Sequence, residues 1–192
     1  MQKIDKILVG THNKGKFIEI SDLLPKKVEK ISPINLDIES PVENGKTFEE
    51  NSEIKANFFC EKSNLVTLSD DSGLEVDCLN GEPGIFSSRW ADELGGFQNA
   101  MIKILDKVKK LNKSTSAQFV SSLTIRWPDG KKITETGTIK GDITNMKGKN
   151  GFGYDPIFIP NKSKKTFAEM KPSQKYRLDH RYKAFKKIKK FL

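Results

Sequence analysis

A short apolar run, Ile4 to Val9, passes through a glycine-bearing loop, Gly10 to Lys16, into Phe17, Ile20, Leu23 and Leu24 at helical spacing. A buried strand that feeds a helix through such a loop sets the pattern for the rest of the chain. Ser40 to Lys46 is punctuated by Pro and Gly. Thr47-Phe48-Glu49-Glu50 then gives the capping-box pattern that predicts a helix carrying Ile54, Phe58 and Phe59 and ending near Ser63. Leu65 to Leu68 and Leu74 to Leu79 read as two more buried strands, with the polar stretch Ser69-Asp70-Asp71-Ser72-Gly73 between them, so the carboxylates are expected at a strand end.

Turns follow at Gly81 to Gly84 and at Gly95-Gly96, and Met101, Ile104, Leu105, Val108 and Leu111 mark an amphipathic helix that stops at Asn112. Phe119 to Trp127 and Lys132 to Ile139 flank Pro128-Asp129-Gly130, which predicts a hairpin. A glycine-rich loop, Gly148 to Tyr154, precedes the apolar Pro156 to Pro160, and a last helix is expected from about Arg177, with Leu178, Phe185, Ile188 and Leu192 on one side and lysines on the other. Strands interleaved with helices plus one hairpin indicate an α/β fold with a mixed β-sheet.

At 192 residues and 35% apolar content the chain is expected to form a single domain, residues 1 to 192, that buries a core without disulfides. No stretch approaches the roughly 18 apolar residues of a membrane span, and Met1 to Lys6 is too charged for a secretory signal, so a cytoplasmic protein is expected. Cys60 and Cys78 form no metal-binding pattern and read as reduced, packed thiols. The net charge of +9 is compatible with nucleic acid or with small polyanions as partners. Its densest runs, Lys107 to Lys113 and Lys183 to Lys190, fall on helix-like patterns, where charge is usually a solvated face.

Three clusters carry chemistry. The first loop, Gly10-Thr11-His12-Asn13-Lys14-Gly15-Lys16-Phe17, meets the P-loop spacing and then fails it, since Phe17 stands where a magnesium-binding hydroxyl is required. A Walker-type ATPase is thereby disfavoured, while backbone N–H groups with Thr11, Asn13 and Lys16 can still cradle a triphosphate. The alternative is an ordinary turn with exposed lysines. The second cluster joins Asp70 and Asp71 to Glu43, all hard oxygen ligands suited to Mg2+, and one such carboxylate can act as general base toward water. A solvated turn is the alternative there. The third is Gly151-Phe152-Gly153-Tyr154-Asp155-Pro156, with Lys175 and Asp179-His180-Arg181 beyond it. Aromatics beside glycines can stack a base, and Lys and Arg offer donors only, which suits a 6-oxo purine and cannot pair with a 6-amino group.

The pattern as a whole resembles the inosine triphosphate pyrophosphatase (XTP/dITP diphosphatase) family over essentially the full chain. The likeness is carried by Thr11 to Lys16, Glu43 to Asn51 with Lys55, Ser69 to Asp77, Gly84 to Ala91, Gly151 to Phe158, Thr166 to Met170 and His180-Arg181. The resemblance implies an elongated mixed sheet flanked by helices, in two lobes with an active-site cleft, usually as a homodimer. It implies Mg2+-dependent hydrolysis of deaminated purine nucleoside triphosphates to the monophosphate and pyrophosphate. Thr11, Asn13, Lys16 and Lys55 would hold phosphates, Glu43 and Asp71 with Asp70 would organise the metal, and Asp71 would be the general base. Phe152, within the Gly153-Tyr154 loop, would stack on the purine, with Asp155, Lys175, His180 and Arg181 around the base and Ser72 and Arg89 lining the site. Asp179 and Tyr182 depart from the family's usual Ser and Gly, and Asp179 is expected to cap the last helix. Two alternatives remain: a similar pyrophosphatase for pyrimidine or modified triphosphates, and a non-enzymatic basic nucleic-acid-binding module.

Overall fold

A computed structural model describes residues 4–192; the charged opening Met1 to Lys3, part of the argument against a secretory signal, lies outside the described residues. In chain order the elements are β1 (Lys6–Gly10), α1 (Lys14–Leu23), β2 (Glu29–Ile31), α2 (Phe48–Ser63), β3 (Thr67–Val76), α3 (Ser87–Glu93), α4 (Phe97–Leu111), β4 (Ser116–Arg126), β5 (Lys132–Ile143), β6 (Phe158–Pro160), α5 (Pro172–Lys175) and α6 (His180–Ile188). The strands are ordered β2-β1-β3-β4-β5-β6. β1 runs parallel to β2 and β3, and β5 antiparallel to β6, so the expected mixed sheet with flanking helices is the one that forms. Among the described residues no helix is long and apolar enough to cross a membrane.

The chain divides into two compact units. The first comprises residues 1–71, 121–137 and 181–192, and the second residues 72–120 and 138–180. In the first, Ile7, Val9, Ile20, Leu68, Leu123, Ile125, Ala184 and Ile188 form a core around the N-terminal part of the sheet. Each large aliphatic side chain so buried contributes roughly 1.5–3 kcal/mol. In the second, Leu74, Ile104, Ile157, Phe158 and Phe167 anchor a separate core. Phe119 stands at its centre, edge-on to Phe158 at 4.9 Å.

Local signals set several boundaries. Thr47 Oγ1 accepts from Glu50 N at 3.1 Å, and Glu50 Oε2 accepts from Lys46 N at 2.5 Å, one residue earlier than in a standard capping box. Asn64 and Asn112 end α2 and α4 in the left-handed conformation that Asn tolerates well. Across the β4–β5 hairpin Thr124 faces Thr134 at 2.9 Å and Ser122 faces Thr136 at 2.5 Å.

The main correction concerns Ser69 to Gly73. It is not a turn between two strands but the middle of one ten-residue strand, β3, with Ser69, Asp70 and Asp71 all buried. Ion pairs to Lys16, Arg181 and Lys55 replace the solvation that so polar a sequence otherwise needs. The final helix starts at His180, three residues later than expected, and Asp179 is the buried residue directly before it, in the position of a cap.

β1 and β3 meet where Gly10 pairs with Ser69. A Cβ at Gly10 would stand 2.1 Å from Ser69 Oγ and 2.8 Å from the Phe59 ring. Gly10→Ala therefore forces the two strands or the ring aside, and overpacking of this kind costs about 1–3 kcal/mol. Thermal denaturation should register it as a fall of a few degrees, and an unchanged midpoint would show that the contact relaxes without cost.

Candidate active site

The loop after β1 is organised by its own side chains. Asn13 Oδ1 accepts from Lys16 N at 3.0 Å and so caps α1, while Asn13 N donates to Thr11 Oγ1 at 3.1 Å. The first-turn N–H groups of α1 and the Lys16 side chain thus come from one short segment, the arrangement that favours anions at a helix N-terminus.

Asp70 and Asp71 are consecutive in β3, so they project to opposite faces of the sheet. Asp70 is fully buried: Oδ1 accepts from Ser121 Oγ at 2.5 Å and Arg181 Nε at 3.3 Å, and Oδ2 pairs with Lys16 Nζ at 3.0 Å and accepts from Arg181 Nη2 at 3.4 Å. Arg181 also pairs closely with Glu19. Lys16 and Glu19, three apart on α1, share a helix face and meet the same centre. Burial opposes ionisation of Asp70, but the charges of Arg181 and Lys16 and the Ser121 hydroxyl outweigh it and hold the carboxyl far below the usual range.

Asp71 faces α2. Lys55 Nζ donates to its Oδ1 at 2.9 Å and pairs with Glu43 Oε1 at 3.0 Å, and Asn51 Nδ2 donates to Oδ2 at 3.3 Å. Asn51 and Lys55 lie one helical turn apart, hence on one face of α2. Asn51 Oδ1 also accepts from Gly45 N at 2.9 Å, which ties the Glu43-bearing segment to the same point. Burial lifts the Asp71 carboxyl above its ordinary range against the opposing pull of Lys55 and Lys16, with the Glu43 charge adding to the rise. Burial alone would depress Lys55, yet Asp71 and Glu43 raise it overall and keep it an ammonium.

A second polar group lies in the second unit. Asp155 Oδ2 accepts from Lys175 Nζ at 2.6 Å and from Phe152 N at 3.0 Å, and all but a few per cent of both charged side chains is buried. Lys175 Nζ lies 5.1 Å from the Phe152 ring centre and 5.4 Å from that of Phe167. Gly151 has φ +73°, and a Cβ there would stand 2.0 Å from Asp155 Oδ2, so only glycine lets the loop close over this carboxylate. His180 stacks on Phe119 at 4.8 Å. Tyr154 is buried, with its hydroxyl donating to Ser87 O at 2.8 Å and its ring edge-on to Phe97, and burial raises its pKa.

The family model for the Ham1 family matches residues 7–191. The chain belongs to the Ham1 family. The dITP/XTP pyrophosphatase of Zymomonas mobilis is 41% identical over 95% of this chain and 90% of its own length, and that of Flavobacterium johnsoniae 40% identical over 95% of each. Among solved structures, the Ham1 protein of Staphylococcus aureus superposes with a TM-score of 0.85 at 35% identity, over 97% of each chain. A Mycobacterium abscessus structure described as a nucleoside-triphosphatase / dITP/XTP pyrophosphatase gives 0.75 at 34% identity, over 97% of this chain and 98% of that one.

In this Ham1-family chain the residues singled out from sequence fall into two groups. Thr11, Asn13, Lys16, Glu43, Lys55, Asp70, Asp71 and Arg181 belong to the first unit, and Ser72, Arg89, Phe152, Gly153, Tyr154, Asp155, Lys175 and His180 to the second. Arg181, read with the base-side residues, is held by Asp70 and Glu19. Arg89 lies with its guanidinium 5.1 Å from the Phe86 ring centre. Sequence reasoning missed three partners, Glu19, Ser121 and the Asp71-binding role of Asn51. Asn51 carried a usable signal, four residues before Lys55 on an expected helix.

Proposed function

We propose that this chain hydrolyses deaminated purine nucleoside triphosphates, dITP, ITP and XTP, to the monophosphate and pyrophosphate. The observation that carries the reading is the gathering of Lys16, Lys55, Glu43, Asp70 and Asp71 in one unit through ion pairs of 2.9–3.0 Å. The names of the relatives and the ordered motifs support the substrate class. The chain is a nucleoside-triphosphate pyrophosphatase, acting as one catalytic domain.

The donor chemistry suits magnesium. Glu43 and Asp71 are hard carboxylates already drawn to one cation, the Lys55 ammonium. Among the described residues no cluster of three or more Asp, Glu, His or Cys side chains could by itself hold a metal ion. Magnesium needs only one or two carboxylates, here Glu43 and Asp71, and completes its shell with water and substrate phosphate. Glu43 and Asp71 would hold it, while Asp70, on the other face of β3, is already held by Lys16 and Arg181; bound there, magnesium would neutralise phosphate charge and orient the triphosphate.

The remaining work belongs to the protein. Lys16, Thr11, Asn13 and the N-terminus of α1 hold phosphate oxygens, and Lys55 offsets their charge. The Asp71 carboxylate, made more basic by burial, takes a proton from the attacking water. The water oxygen forms a bond to the α-phosphorus as the bond from phosphorus to the bridging oxygen breaks, and that oxygen leaves with the pyrophosphate. Phe152 stacks on the base, with Lys175 and His180 beside it and Ser72 and Arg89 lining the site.

The test is a magnesium-dependent turnover assay across purine and pyrimidine triphosphates with pyrophosphate read directly. Release of orthophosphate, or no turnover of any triphosphate, sinks the proposal, and a preference for pyrimidines moves the substrate class. Lys175→Ala is expected to lower kcat/KM for dITP and XTP by about 10–100-fold, the effect of leaving a base acceptor without its donor and of taking the ammonium from the buried Asp155 carboxylate. An equal loss for every base in the panel would place Lys175 outside base selection. The resemblance also implies a homodimer, which light scattering would show as twice the chain mass.

A further inference from the structure

The segment from Ile38 to Lys46 carries Glu43 and contains neither helix nor strand. Its C-terminal half is fastened by Glu43 to Lys55, by Gly45 N to Asn51 and by Lys46 N to Glu50. Its N-terminal half has a different anchor. Ser40 Oγ lies 2.6 Å from His12 Nδ1, and His12 stands in the loop between β1 and α1. The His12 ring is itself steadied against Phe59, with ring centres 5.8 Å apart, and Phe59 lies one turn beyond Lys55 on the same face of α2. Val42, next to Glu43, is 81% exposed and contributes little packing of its own.

We propose that His12 is a positioning residue that clasps this segment through Ser40 and thereby keeps Glu43 at its station beside Lys55 and Asp71. The inference rests on the reading of Glu43 as a metal-holding carboxylate. Ser40 and Glu43 are three residues apart, at most about 11 Å of extended chain, so slack at Ser40 is transmitted to Glu43. A hydroxyl both donates and accepts, so the clasp holds with either tautomer of the ring.

The first measurement needs neither metal nor substrate: the rate at which a glutamate-specific protease cuts after Glu39 and Glu43 in the metal-free protein. Cleavage follows the population of the open segment. His12→Ala and Ser40→Ala should each raise it by about two- to ten-fold, the range one solvent-accessible hydrogen bond supports. The double variant should be no faster than either single one. His12→Asn, whose amide group replaces Nδ1, should restore the slow rate, whereas His12→Gln should not. The second measurement is the magnesium concentration for half-maximal turnover. In Ser40→Ala it should rise by a similar factor, exceeding any fall in kcat at saturating magnesium.

Unchanged cleavage, or additive effects in the double variant, overturns the clasp. Faster cleavage with an unaltered magnesium requirement makes the bond structural only and overturns the positioning role. If the parent protein turns over no triphosphate, the function proposed above fails, and the protease arm still decides whether the clasp exists.

Discussion

Asp71→Asn is expected to lower kcat for dITP by about 10²–10⁴-fold, the contribution of a positioned general base, while KM changes little. The substitution keeps the shape of the side chain and the amide can still meet Asn51, so the fold of β3 is preserved. Lys55 retains Glu43 at 3.0 Å, so its ammonium is not stranded. Lys16, a phosphate-holding group, keeps its 3.0 Å pair with Asp70. Steady-state kinetics with pyrophosphate detection separates the two parameters. A rise in KM with kcat intact would reassign Asp71 to substrate binding and remove it as the base.

Much of the architecture was legible because its signals are local. The β1–loop–α1 start, the Thr47 cap of α2, the Asn112 end of α4 and the Pro128-Asp129-Gly130 hairpin each rest on a few adjacent residues with one strong conformational preference. What escaped was either too short or decided at a distance. β2 has three residues, two of them charged, and α5 has four. β3 escaped for a deeper reason. Ser-Asp-Asp-Ser-Gly is turn chemistry when water solvates it, but here Arg181, Lys16 and Lys55, drawn from three helices, supply the partners. No window along the strand contains that information.

The candidate site shows the same division. Residues inside recognisable motifs were found from sequence, and their grouping was not. Asp70 and Asp71 read as an equivalent pair, yet strand alternation gives them separate roles. One is locked ionised by two cations and a hydroxyl, the other raised by burial beside a lysine it shares with Glu43. Glu19 sits beside Ile20 on a helix whose apolar spacing explained itself without it. Only the arrival of Arg181 from the far end of the chain makes a buried carboxylate necessary there.

Asp70→Ala should be the most damaging change to stability. It leaves Arg181 with Glu19 as its remaining carboxylate partner in this network and takes from Lys16 the carboxylate 3.0 Å away. Removing one member of a buried ionic set costs about 3–5 kcal/mol. At about 2–4 °C per kcal/mol for a chain of this size, the thermal midpoint at pH 7 falls by roughly 6–20 °C. The pH dependence gives the sharper test. Asp70 is held far below its unfolded value of about 3.9, so its contribution is complete above that pH and is lost progressively as pH falls below it toward the folded value. The midpoints of the parent and Asp70→Ala should therefore stay far apart from pH 7 down to about pH 4 and draw together only below it, the gap at pH 3 being smaller than at pH 5 but not closed. Asp70→Asn, which keeps the volume but not the charge, should follow the same converging course from a smaller starting gap. A gap that stays constant into acid, or widens, would mean that Asp70 acts through packing and not through its charge.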